Sequence, residues 1–179
     1  MKTSRDIVKI FLASPGDLKP ERQVAKLVVD EFNSLWADHF GYQIELVGWE
    51  DTVSVYGRPQ AVINKDLEQC EYFVGLIWKR WCTPPDNSGD YTSGFEEEFE
   101  NTVRRRRKER SPQISLFFKT IDDDFLEDKG DQLKKVLDFK KRIADDKEIL
   151  YETFENSEGF RQKFNRCIAK YIREKSISS

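Results

Sequence analysis

Tyr72-Phe73-Val74-Gly75-Leu76-Ile77-Trp78 fills almost every position with an apolar side chain. A strand with one face in water alternates apolar and polar residues, whereas a strand covered on both faces does not. This run therefore predicts the central strand of a parallel sheet sandwiched between helices. Its neighbours agree. Upstream, Pro59 opens a segment that puts Ile63, Leu67 and Cys70 on one helical face. Downstream, a loop over residues 79–92 holds two prolines and Gly89, and a helix over about residues 93–108 follows.

The same alternation extends outward. Residues 7–13 (IVKIFLA) form an apolar run ending at a Ser-Pro-Gly-Asp turn, which predicts a first strand. Pro20 suits a first helical turn, and Val24, Leu27, Val28, Phe32 and Leu35 then recur at helical spacing. Residues 42–49 (YQIELVGW), 113–119 (QISLFFK) and 148–154 complete the strands. Helices carrying Leu133, Val136 and Leu137, and Phe160, Phe164, Ile168 and Tyr171, complete the layers. Five strands alternating with five helices, joined by right-handed crossovers, predict an α/β three-layer sandwich with a doubly wound parallel sheet in the order 2-1-3-4-5.

Composition narrows the function. The chain has 179 residues, 33 acidic and 30 basic, with a net charge of −3, so no global field draws it to nucleic acid or an anionic membrane. Aromatic residues make up 13%, which argues for a packed core. No apolar run approaches the roughly 20 residues of a membrane span, and the N-terminus lacks a signal-peptide core. Cys70, Cys82 and Cys167 are scattered, and His39 stands alone, so no metal site and no bound cofactor are expected. A reducing, cytoplasmic setting is the expectation. Residues 1–175 are expected to form one domain, with 176–179 a frayed tail leading into a downstream region.

In such folds ligands bind at the carboxyl ends of the strands, beside the switch point. Ser14, Gly16 and Asp17 offer a hydroxyl and backbone N–H groups at a helix start, which suits a phosphate; the alternative is a tight turn with Asp17 as helix cap. Neither GxGxxG nor GxxxxGK[ST] is present. Trp49 and Arg58 fall at the same end. Lys79 and Arg80 are placed to hold a diphosphate, and Trp78 or Trp81 to stack a base or a nicotinamide ring. The alternative for each is a strand-end cation or a ring covering the sheet edge. Arg104 to Arg107 with Lys108 complement the negative end of a helix dipole and are expected to be solvated.

Ser93-Gly94-Phe95-Glu96-Glu97-Glu98-Phe99-Glu100 is the densest candidate. At about 100° per residue, Phe95, Phe99 and Val103 set the buried stripe. Glu97 then points most directly away and is expected to be solvated surface, Glu100 likewise, and Glu96 is a plausible cap. Phase alone leaves Glu96 and Glu98 both open as the functional carboxylate. Gly94, one turn before Glu98, would leave room for a ligand.

Ile10-Phe11-Leu12-Ala13-Ser14-Pro15-Gly16-Asp17-Leu18 with Glu21-Arg22 resembles the opening of a TIR-like domain of unknown function found at the N-terminus of STAND and NACHT NTPases, bacterial defence proteins among them. Gly57-Arg58-Pro59-Gln60, Ile63-Asn64 and Cys70-Glu71-Tyr72-Phe73-Val74-Gly75 look like its middle section, and residues 93–99 like its "T-E-x-E-aromatic" segment, with Phe95 where threonine is common. The resemblance implies a flavodoxin-like fold, with self-association and a downstream NTPase or sensor as partners. It also implies one of two functions: an adaptor, or an enzyme that takes NAD+ as substrate and cleaves its nicotinamide–ribose bond with a glutamate of the third helix. Nucleoside deoxyribosyltransferases look similar too, with a glutamate four residues after a glycine. Matching Gly94 to that glycine selects Glu98 as the catalytic residue. The serine–tryptophan–cysteine approach typical of TIR enzymes before the glutamate is not reproduced cleanly.

Overall fold

The computed structural model describes residues 5–48, 59–127 and 129–178. Trp49 and Arg58 lie outside the described residues. The elements run β1 (Asp6–Ala13), α1 (Lys19–Leu35), α2 (Ala37–Phe40), β2 (Tyr42–Val47), α3 (Pro59–Glu68), β3 (Tyr72–Ile77), α4 (Gly94–Glu109), β4 (Gln113–Lys119), α5 (Asp123–Glu127), α6 (Asp131–Asp146), β5 (Tyr151–Phe154) and α7 (Ser157–Ser178). All strand pairs are parallel, in the order β2-β1-β3-β4-β5.

Every residue of β3 is buried, as its unbroken apolar run requires. Tyr72, Val74 and Leu76 face one core with α1 and α7. Phe73 and Ile77 face a second core with Leu67 of α3, Phe95 and Phe99 of α4, and Val136, Phe139 and Ile143 of α6. Edge strand β2, by contrast, alternates buried and exposed positions. Gly75 sets the sheet-to-helix spacing: a Cβ there would meet Leu116 Cδ2 at 2.7 Å and Phe95 Cε2 at 3.3 Å. Its absence lets α4 lie close over the centre of the sheet.

The differences from expectation are local. Two short helices, α2 and α5, occupy stretches that periodicity left unassigned, because four- and five-residue elements carry too few positions to show a period. β2 stops at Val47, and β5 starts at Tyr151 where its pairing with Leu116 begins. The tail expected to fray is helical through Ser178, with the Ser176 hydroxyl donating to the Ile172 carbonyl at 2.7 Å. Among the described residues no helix is long and apolar enough to cross a membrane.

Candidate active site

The first turn of α4 is fixed by its own side chains. Ser93 Oγ accepts the Glu96 N–H at 3.1 Å, and the Glu96 carboxylate accepts from the Thr92 N–H at 2.6 Å and the Thr92 hydroxyl at 2.7 Å. This is a capping arrangement, so Glu96 belongs to the cap and is not available to a ligand.

Glu97 corrects the phase argument: it is 5% exposed. One arc of α4 packs on the sheet, and α3 covers another. From α3, Asn64 Nδ2 donates to Glu97 Oε1 at 2.9 Å. Glu98 is also buried, at 9% exposure, and accepts from Gln60 Nε2 at 3.0 Å. Glu100 is half-buried and ion-paired with Arg142 at 2.7 Å, so it too has a partner rather than open solvent. Burial pushes the Glu98 carboxyl up from 4.5 to about 7; the Gln60 hydrogen bond opposes this, the Glu97 charge adds to it, and Arg22 opposes it. Arg22 reaches from α1, where it also donates to the Gly48 carbonyl at 2.8 Å.

The room that Gly94 was expected to leave for a ligand is taken. A Cβ on Gly94 would come within 2.6 Å of Gln60 Oε1, so the Gln60 amide fills that space.

The phosphate-binding candidates divide. Leu18, not Asp17, is the N-cap of α1, and no side chain caps it. Asp17 instead accepts the backbone N–H groups of Lys79 and Arg80 at 3.2 and 3.1 Å, tying the first turn to the loop after β3. Ser14 Oγ donates to the Pro15 carbonyl at 3.0 Å, and Gly16 is exposed. The Lys79 ammonium lies 3.7 Å above the Trp78 ring and 3.8 Å above Phe125, on the α5 side. Arg80 is exposed. Trp81 is 3% exposed, its ring against Phe95 and Phe139 and its indole N–H donating to Thr92 Oγ1 at 2.6 Å. It is a core residue and offers no face for stacking, and the half-buried Trp78 ring lies under the Lys79 and Lys119 ammonium groups at 3.7 and 4.5 Å.

Three neighbours of Glu98 and Glu97 escaped selection from the sequence as site residues: Gln60, Asn64 and Arg22. Gln60 and Asn64 stand four apart on one face of α3, and that amide pair was the legible signal. Arg22 carries none, since a cation on an outer helical turn looks ordinary. Among the basic run, Arg105 is not solvated but donates to the carbonyls of Leu67, Glu68 and Cys70 at the end of α3. Burial raises the Cys70 thiol to about 12, which leaves it protonated. Among the described residues no group of three or more His, Cys, Asp or Glu side chains could hold a metal ion.

A parallel α/β domain with a buried, near-neutral carboxyl at the carboxyl end of its central strands is thus the class that fold and site define. The chain belongs to the family described as Domain of unknown function (DUF4062), whose model matches residues 9–169. No curated protein matches it. Among solved structures it is similar to the TIR domains in the activated Roq1 resistosome directly recognizing the pathogen effector XopQ. The identity is 12% and the TM-score 0.39, over 89% of this chain and 82% of that one.

Proposed function

We propose that the domain is a TIR-like effector that hydrolyses the nicotinamide–ribose bond of NAD+, with Glu98 as its catalytic carboxylate. The observation that carries this reading is Glu98 itself, buried on the first turns of α4 with a carboxyl raised to about 7. A desolvated carboxylate stabilises a neighbouring cation far better than a solvated one. The C1′–N bond would break with both electrons leaving on nicotinamide, which departs neutral. Glu98 would hold the ribose hydroxyls and stabilise the oxocarbenium left behind. Water then adds at C1′ and gives up a proton, so NAD+ and water become ADP-ribose, nicotinamide and H+; attack by the adenine instead of water would give a cyclic product.

The Ser14–Asp17 turn and Arg80 are the groups assigned to the diphosphate, and Trp78 would stack the nicotinamide once Lys79 leaves its ring. Lys79 would join them only by leaving its stack between Trp78 and Phe125. Asp17 acts on this site through the Lys79–Arg80 backbone it holds. The resemblance noted in the sequence would make the domain the effector end of a longer STAND or NACHT protein in prokaryotic antiphage defence, acting in the cytoplasm when assembled.

A second reading is a non-catalytic self-association module. The Gln60 amide against Glu98 favours it, as do exposed Leu35 and Trp36 at the end of α1. Fusing the domain to an oligomeric scaffold, incubating it with NAD+ or with deoxynucleosides, and measuring free nicotinamide or base separates the readings. Nicotinamide release supports the glycohydrolase. Base release from nucleosides alone would point to a deoxyribosyltransferase-like enzyme, and no release from either would leave the association module.

A further inference from the structure

Gln60 does more than neighbour Glu98. Its Nε2 donates to Glu98 Oε1 at 3.0 Å and lies 3.4 Å from Asn64 Oδ1, while its Oε1 rests where a side chain on Gly94 would be. One turn along α3, Asn64 Nδ2 bonds Glu97 Oε1 at 2.9 Å. Two amides on one face of α3 thus meet two carboxylates on α4, in a ladder with a glycine at its end. Amide–carboxylate bonds of this kind can be exchanged for bonds to a hydroxylated ligand at little net cost, unlike an apolar contact. The Gln60 amide also uses an acceptor position on Glu98 Oε1 that a ribose hydroxyl would need.

We infer that Gln60 is a gate: its side chain fills the ligand space over Gly94 and must swing out before the Glu98 carboxylate can take a substrate hydroxyl. The inference rests on the reading of Glu98 as the catalytic carboxylate, and it supplies the regulation of that site. Whatever displaces the N-terminal turn of α3 opens the site. In the closed form the domain is a latent enzyme.

The gate can be tested without relying on catalysis. A water-soluble carbodiimide with glycine ethyl ester amidates accessible carboxyls, and peptide mass spectrometry reads the rate at Glu98 separately from exposed controls such as Glu109. Two variants open the gate by different routes. Gln60→Ala removes it. Gly94→Ala adds a methyl within 2.6 Å of the far end of a flexible side chain, which pushes the amide aside. Gly94 has no positive φ, so alanine fits its backbone, and the entropy it removes from the unfolded chain offsets the lost Gln60 bond. Both variants should speed amidation at Glu98 by roughly fivefold or more, as loss of one hydrogen bond implies, with Glu109 unchanged and Gly94→Ala melting no lower than the parent. Equal Glu98 rates in parent and both variants would overturn the gate, whatever the scaffold-fused domain does with NAD+. Faster amidation in variants that leave NAD+ intact would keep the gate and reject the glycohydrolase.

Discussion

The Lys119 ammonium at the end of β4 lies 2.8 Å from Glu21 Oε1, and Glu21 is only 1% exposed although it sits in the first turn of α1. Ser157 at the start of α7 donates to the same oxygen at 3.2 Å. One carboxylate therefore joins α1, the sheet and α7 at the end that carries the candidate site. Lys119→Met would strand a buried charge and should cost about 3 kcal/mol. Pairing it with Glu21→Leu should recover most of that loss. Denaturant midpoints of the two singles and the double, run as a cycle, measure this; additive losses would rule out the pairing.

Asp17 organises the loop after β3. Asp17→Ala removes an acceptor shared by two backbone N–H groups, and hydrogen bonds to a charged group are worth about 1.5–3 kcal/mol each. Partial exposure of Asp17 reduces this, so a loss of about 2 kcal/mol is expected for the pair. Amide exchange should quicken at Lys79 and Arg80 first. Protection unchanged at those two amides would show that Asp17 does not hold the loop.

Arg105 closes the C-terminal end of α3 by donating to three carbonyls. A planar guanidinium reaches several acceptors at once and an ammonium does not. Arg105→Lys should therefore destabilise almost as much as Arg105→Met, by about 1–3 kcal/mol. Thermal melts of the two variants check this, and a lysine variant as stable as the parent would contradict it.

Glu98 couples the site to stability. Its pKa is raised in the fold, from 4.5 to about 7, so the folded state holds a proton there that the unfolded chain has released. The stabilising effect of that proton is complete below pH 4.5 and is lost as the pH rises through about 7. Glu98→Gln should thus be more stable than the parent at pH 8, by on the order of 2–3 kcal/mol, and equal to it near pH 4.5. Melting curves across that range decide it; a gap independent of pH would mean the carboxyl is not desolvated.

Sheet order and layering were legible because β3 lacks alternation while the helices keep a clear 3.6-residue period. The site was legible only in part. The cap role of Glu96 follows from Ser93 three residues before it. The burial of Glu97 does not follow from its own helix, because it depends on where α3 lies and on Asn64 being there. Trp81 looked like a ligand platform by position, yet its ring completes the aromatic core with Phe95 and Phe139. Gln60 illustrates the limit most clearly. Its meaning comes from a glycine 34 positions away, and only three-dimensional packing brings the two together.

The proposed cleavage of the nicotinamide–ribose bond rests on the Glu98 carboxylate. Its most direct test is nicotinamide release from NAD+ by the scaffold-fused domain, parent against Glu98→Gln, between pH 6 and 8. The parent rate should climb roughly tenfold over that range as the carboxylate forms, and Glu98→Gln, folded and more stable, should release about 100-fold less. A Glu98→Gln domain that releases nicotinamide at the parent rate would contradict the claim.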